Sequence, residues 1–144
     1  MNAKRHRLLL AAVTPLLAPG ERVEVSTIVN LRTVSVRRTA AFAAASAILS
    51  AGAVSVIPVP VPMYLVMTDR HFFVFRANPN FARPEEHLMT FARAGLVRTE
   101  IRERLLNSSF VVSSPDDVQG LRIVFPLVGR KDRNAIAAAL PVAD

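Results

Sequence analysis

The stretch Tyr64–Arg76, YLVMTDRHFFVFR, decides the fold of this chain. Two apolar runs, 64–67 and 72–75, flank the polar tetrapeptide Thr68–His71. Both runs are rich in aromatic and branched side chains, and a short polar break between such runs is typical of a β-hairpin. The stretch therefore predicts two antiparallel strands joined by a turn at Asp69-Arg70.

The predicted turn places an acid, a base and a histidine side by side, which makes it a candidate for acid–base chemistry. Asp69 is short enough to accept a hydrogen bond from its own downstream backbone, which stabilises a turn. We therefore expect Asp69 to hold the turn, and Arg70 and His71 to lie at the solvent edge beside it. No motif ties a nucleophile to these residues.

The rest of the chain predicts a mainly β, α+β fold built on this hairpin. In its second strand, Phe72 and Val74 should point to one face, and Phe73 and Phe75 to the other. Alternating or β-branched runs predict further strands, and apolar residues at helical spacing predict a helix at each end, the second capped by Asp132. The predicted strands are 21–31, 86–91, 96–104, 109–113 and 121–125, with a helix at 100–106 as the alternative for the end of the third. The predicted helices are 4–18 and, within the C-terminal segment 130–141, residues 133–140.

Two segments carry a resemblance to a known family. The segment Pro19-Gly20-Glu21-Arg22-Val23 precedes Leu65–Phe75, LVMTDRHFFVF, in the order found in bacterial pleckstrin-homology-like (PH-like) domains. The length of the chain predicts one domain over 1–144. The resemblance covers about residues 15–140 without the uncharged run, and it implies a strongly bent antiparallel sheet or barrel of about seven strands capped by the C-terminal helix. It also implies a binding or scaffolding module without catalysis. The phosphoinositide site of eukaryotic relatives is not carried over, because the Asp69-Arg70 turn is too short for it.

Residues 39–68 form an uncharged run. Its first part predicts an Ala-rich helix over about 38–51, and Pro58, Pro60 and Pro62 require extended chain after it. We describe 39–62 as an apolar insertion with three interpretations. It is a buried helix, a helix at a membrane interface or self-association surface, or a membrane span at about 40–57. A helix over 38–51 would be only about 21 Å long, which is short for a bilayer.

The formal charge is +7, and residues 1–38 hold seven basic and two acidic side chains. A solubilising surface charge accounts for this excess, and basic charge beside apolar surface also suits an anionic membrane. Nucleic acid is disfavoured, because stacking aromatic residues are not interleaved with the charge. The sequence thus predicts a cytoplasmic protein that binds a partner protein, itself or an anionic membrane surface, and membrane association is the consequence of the last alternative alone. The predicted binding residues are Arg32, Arg37, Arg38, Phe42, Ile48 and Leu49.

The amino end also resembles a secretory signal, with a basic start followed by the apolar stretch Leu8–Ala18. Pro15 interrupts that stretch and Leu16 occupies a cleavage position that requires a small residue, so an amphipathic helix is preferred.

Chemical motifs are few. The chain has no cysteine and only isolated glycines, which excludes thiol chemistry and glycine-rich phosphate loops. Glu85-Glu86-His87 offers too few ligands for zinc. We therefore expect no catalytic residue, metal or cofactor. Two alternatives stay open, namely a small membrane subunit with the span at 40–57, and a small-ligand binder or enzyme that uses the mouth of the bent sheet.

Overall fold

The structure is a computed structural model, and it describes residues 3–35, 62–77, 84–114 and 119–143. Most of the insertion 39–62, including the predicted helix at 38–51 and the span at 40–57, lies outside the described residues. The described elements are two helices, α1 (Ala3–Val13) and α2 (Arg130–Ala139), and eight strands, β1 (Val23–Ser35), β2 (Met63–Thr68), β3 (His71–Ala77), β4 (Pro84–Ala92), β5 (Val97–Arg98), β6 (Arg102–Glu103), β7 (Asn107–Ser113) and β8 (Gln119–Pro126).

The eight strands form an antiparallel sheet in the order β4-β3-β2-β1-β8-β7-β5, with β6 paired to β7. The long strand β1 changes partner halfway along its length. Its first half pairs with β2 as far as Val29, opposite Met63, and its second half pairs with β8 from Asn30, opposite Val124. One continuous strand thus belongs to both halves of the sheet.

The sheet is open at β4 and β5. Of the two predicted forms, a bent sheet or a barrel, the described strands do not form the barrel. The C-terminal segment occupies hydrogen-bonding positions on β5. The amide of Arg98 donates to the carbonyl of Pro141 at 2.9 Å, and the amide of Ala143 donates to the carbonyl of Arg98 at 2.7 Å. Because these backbone groups are already engaged, β5 does not pair with β4.

The β2–β3 hairpin forms as predicted, and its side chains alternate as expected. Phe72 and Val74 are buried in a core with β1, β4, β7, β8 and the apolar face of α2. Phe73 and Phe75 are buried on the opposite face in a second core, where Leu9 of α1 packs against them. Both faces of the hairpin are covered, which explains why its apolar residues form nearly continuous runs.

The helix ends differ from the sequence-based bounds. The α-helix α1 stops at Val13, and Pro15 lies in a 3₁₀ turn over Thr14–Leu16. At the other end, Gly129 is the N-cap of α2, and no side chain caps the helix. The prediction that Asp132 is the cap is therefore wrong. Asp132 lies within the first turn, because the helix begins two residues earlier, at Arg130.

The predicted strand 96–104 is two short strands, β5 and β6. The residues between them leave the regular ladder, although the amide of Thr99 still donates to the carbonyl of Val111 at 2.9 Å. Ile101 lies in this interruption and packs against the main core. Within the described ranges, no helix combines the length and apolar character needed to cross a bilayer.

Gly20 sits in a tight turn that connects the helical amino end to β1. The amide of Glu21 donates to the carbonyl of Ala18 at 3.0 Å, and Gly20 has a φ of +81°. Proline followed by glycine with positive φ is the pattern of a type II turn, since glycine alone adopts that conformation without steric cost.

We therefore predict that Gly20→Ala destabilises the fold by about 1–2 kcal/mol, the cost of placing an L side chain in the left-handed region. The measurement is urea-induced unfolding followed by circular dichroism. Gly20→Asn is the control, because asparagine tolerates the left-handed region better than alanine does. Equal effects of the two substitutions would contradict the assignment of strain to Gly20.

Candidate interaction site

The two segments that carry the family resemblance meet at the buried side chain of Glu21. Its side chain has no solvent exposure. One carboxylate oxygen, Oε1, accepts a hydrogen bond from the amide of Ala18 at 2.9 Å. The other, Oε2, accepts from the Thr68 hydroxyl and lies 2.9 Å from His71 Nδ1. The turn before β1 is thereby tied to the turn of the β2–β3 hairpin.

The hairpin turn is held by Thr68 more than by Asp69. The Thr68 hydroxyl oxygen accepts from the amides of Arg70 and His71, at 3.0 and 2.8 Å. Asp69 faces the other segment. Its Oδ1 accepts from the amide of Arg22 at 2.8 Å, and its own amide donates to the carbonyl of Arg22 at 3.1 Å.

Two sequence-based roles are corrected by this arrangement. Asp69 does not close the turn on its own downstream backbone, because Thr68 already accepts from those amides. His71 is not simply at the solvent edge, because its side chain is 36% exposed and its ring contacts the buried Glu21 carboxylate. Arg70 is exposed, as expected.

The electrostatics of Glu21 follow from these contacts. Burial opposes ionisation, but the hydrogen bonds from Thr68, Ala18 and His71, with the charge of His71, lower the Glu21 pKa from 4.5 to about 2. The Arg22 amide likewise lowers the pKa of Asp69. A carboxylate with so low a pKa and its lone pairs engaged is a weak proton acceptor near neutral pH. The geometry suits a structural tie between segments.

Arg32 is the one predicted binding residue that the structure describes, and it lies exposed on β1. The register places it directly opposite Arg122 of β8. Like charges directly opposite each other on a sheet disfavour the pairing of the two strands by a few tenths of a kcal/mol to about 1 kcal/mol. The other predicted residues, Arg37, Arg38, Phe42, Ile48 and Leu49, lie outside the described residues.

A groove of about 460 Å³ lies beside this pair on the same face of the sheet. Arg122 lines the groove together with Arg102 of β6. Arg122 pairs with Val111, and Arg102 pairs with Ser109. Ser109 and Val111 are two residues apart on β7, so all four side chains point to the same side of the sheet. Glu100 adds one carboxylate to the lining. We call the three arginines 32, 102 and 122 the arginine face.

Sequence reasoning missed Arg102 and Arg122. Each stands alone in its own strand, and only the pairing of the strands places Arg122 opposite Arg32 and Arg102 three strands away on the same face. The cross-strand pairing of β1 with β8 is the signal that would have found Arg122.

The two acids of the basic amino-terminal region are both engaged by residues outside it. Glu21 contacts His71, and Glu24 accepts a 2.7 Å hydrogen bond from Arg93 Nη1. On α1, Lys4 and Arg7 are exposed. Because both acids are engaged by residues from other parts of the chain, the exposed charge of this region is more positive than the count of seven bases and two acids suggests.

A second groove bears on the small-ligand alternative. It encloses about 690 Å³ between the β2–β3 turn, the β4–β5 connection and the end of α2. Asp69, Arg70 and Arg93 supply its polar side chains. Asp69 is already bound by the Arg22 amide, and Arg93 by Glu24. Among the described residues, no group of three His, Asp or Glu side chains is placed to hold a metal ion.

Protein-family models, curated proteins and solved structures were all compared with this chain, and none of them matches it. The function therefore has to be inferred from the chemistry of the arginine face and the basic amino-terminal region.

The Glu21 network predicts a specific loss of stability in acid. Because its pKa is lower in the folded chain than the ordinary 4.5, the ionised carboxylate stabilises the fold above pH 4.5. That contribution falls away as the pH drops from 4.5 toward 2. We expect Glu21→Gln to lower stability at pH 7 by about 1.5–3 kcal/mol, the range for hydrogen bonds to a charged group. The difference from wild type should shrink as the pH falls through this window.

Urea midpoints at several pH values test this expectation. Glu24→Gln is the matched control, since it removes an exposed ion pair that contributes only about 0–1 kcal/mol. A Glu21→Gln deficit that stays constant from pH 7 to pH 3 would show that ionisation of Glu21 does not stabilise the fold.

Proposed function

We propose that this chain is a non-catalytic PH-like binding module that docks on an anionic membrane surface. The basic amino-terminal region and the apolar insertion 39–62 form the binding side. The cytoplasmic leaflet, whose lipids are anionic, is the membrane that fits.

Three features support the PH-like assignment. The antiparallel sheet has two halves that share β1, and α2 packs its apolar residues against the main core. The PGER segment and the TDRH turn, which carry the resemblance, are joined through Glu21, Thr68 and His71.

The observation that carries the binding proposal is the Arg32–Arg122 pair. Two arginines opposite each other, Arg32 exposed and Arg122 half-buried, weaken the sheet, and an anionic ligand would remove that penalty. Arg102 extends the same face. Guanidinium groups are well suited to phosphate oxygens, because they donate in a planar fork.

The amino-terminal helix adds charge on the same side of β1. His6 on α1 lies 3.0 Å from the Ser26 hydroxyl, and Ser26 shares the face of β1 that carries Arg32. Each basic residue near an anionic surface contributes about 1 kcal/mol to binding. Stable attachment needs a second signal beside charge. The large apolar side chains of the insertion, Phe42, Ile48 and Leu49, are proposed to supply it.

Sedimentation with lipid vesicles tests the proposal. The full chain should co-sediment with vesicles that contain phosphatidylserine and not with pure phosphatidylcholine. Binding should weaken strongly in about 0.5 M salt, where exposed charges are screened beyond a few ångströms. Retention of the whole chain after such a wash would instead support the span at 40–57. Equal recovery with and without anionic lipid would leave a partner protein or a second copy as the ligand.

Arg32→Glu separates binding from folding. The substitution turns a repulsive cross-strand pair into an attractive one, so the fold should gain about 0.2–1 kcal/mol. Vesicle affinity should nevertheless fall about tenfold or more, because two units of favourable charge are lost near the surface.

Arg76→Glu is the control with the same net charge. Arg76 is exposed on β3, whose side chains at 72, 74 and 76 share the face opposite α1. Equal losses of vesicle binding in the two variants would mean that net charge, and not the arginine face, determines binding.

A further inference from the structure

Four large apolar side chains are exposed together at one end of the β7–β8 pair. Leu105 and Leu106 occupy the turn between β6 and β7, and they are 87% and 72% exposed. Leu127 and Val128 follow the end of β8, and they are 48% and 92% exposed. We call these four residues the apolar tip.

Strand pairing brings the two parts of the apolar tip together. Asn107, the first residue of β7, is the register partner of Pro126, the last residue of β8. The residues immediately before Asn107 and immediately after Pro126 are therefore neighbours. The amide of Arg104 donates to the carbonyl of Asn107 at 2.8 Å, which closes the turn that presents Leu105 and Leu106. Single exposed leucines are ordinary, but a contiguous group of this size marks a contact surface.

Basic residues flank both segments of the apolar tip in the chain, and we call the exposed ones the basic ring. Segments 102–106 and 126–133 together carry five basic and two acidic residues. One of the acids, Glu103, is engaged at 2.7 Å by Arg133. The remaining bases, all exposed, are Arg102, Arg104, Arg130 and Lys131.

Two of these bases stand where a helix normally disfavours them. Arg130 and Lys131 open α2, and the positive end of the helix dipole lies at that end. Asp132 in the same turn and Glu103, which interacts electrostatically with Arg130, offset part of this repulsion, and the phosphate of a lipid headgroup would offset more of it. Apolar side chains that project beyond a ring of cations match the depth profile of a bilayer with anionic headgroups.

We infer that the apolar tip inserts into the acyl region of an anionic membrane while its basic ring contacts the headgroups. The inference rests on the proposed membrane function and adds the element that enters the bilayer. A second copy of the chain fits this surface poorly, because it would bring two positively charged rings together. Protein interfaces are also depleted in lysine, which the ring contains.

A single tryptophan reports insertion directly, because the chain has none of its own. Leu105→Trp should show a blue-shifted emission with phosphatidylserine vesicles, and quenching by lipids that carry a nitroxide on the acyl chain. Val142→Trp is the control, since Val142 is 45% exposed beside β5 and lies outside the apolar tip. Its emission should stay unshifted when the same vesicles bind.

Removing the leucines tests the energetic contribution of insertion. Leu105→Asn combined with Leu106→Asn should keep the fold, because both side chains are largely exposed. Vesicle affinity should fall at least tenfold, since two leucines no longer leave water. Val142→Asn should leave affinity near that of wild type.

The outcomes distinguish this inference from the proposed function. If the wild type sediments and Arg32→Glu weakens it, but the emission of Leu105→Trp stays unshifted, the membrane function stands and the inserting tip is overturned. If no vesicle binds, both fall. If the emission of Leu105→Trp is blue-shifted without vesicles, and the shift grows with protein concentration, a second copy of the chain covers the apolar tip. A shift without vesicles at every concentration would mean that the chain itself covers the tip. Either result overturns insertion.

Discussion

The buried carboxylate of Glu21 is the interaction on which the arrangement of the described chain depends. A buried carboxylate is tolerated only when its lone pairs are satisfied, and here the donors come from three places along the chain: Ala18, Thr68 and His71. Satisfying Glu21 fixes the turn after α1 and fixes the hairpin turn against it. Arg22 and Asp69 then add a reciprocal pair of hydrogen bonds beside it. The start of β1 is held against β2 by polar contacts, so the register of the sheet does not rest on apolar packing alone.

The register of the sheet determines which side of each strand faces a core. In the β2–β3 hairpin both sides do. Phe72 and Phe73 face opposite ways and enter different cores, one beneath α2 and the other beneath α1. A slip of one residue would exchange these faces. Since both cores accept large aromatic side chains, composition alone specifies the register weakly here, and the Glu21 contacts supply the missing specificity.

The hairpin and the alternation of its side chains follow from local sequence, because apolar runs broken by a short polar turn have few other solutions. The ends of the helices follow less well. Asp132 looks like a cap, but Gly129 caps α2 and Asp132 lies inside its first turn. The role of Glu21 was out of reach, since its partners Thr68 and His71 lie 47 and 50 residues away in sequence. Arg122 was missed for the same reason, because only the pairing of β8 with β1 places it beside Arg32.

The arginine face begins on the part of β1 that lies beyond the core beneath α1. Apolar contact between the core beneath α1 and this side of β1 reaches Ile28, and the next residues on that side are Asn30 and Arg32. At the same level β1 exchanges β2 for β8, so the part of the face that α1 leaves open is shared with Arg122. On this face Arg32 is exposed and Arg122 is half-buried, while Val111 and Ser109 on the neighbouring strand are buried. The two arginines therefore oppose each other where the face passes from exposed to buried, a position that serine or threonine would fill without repulsion.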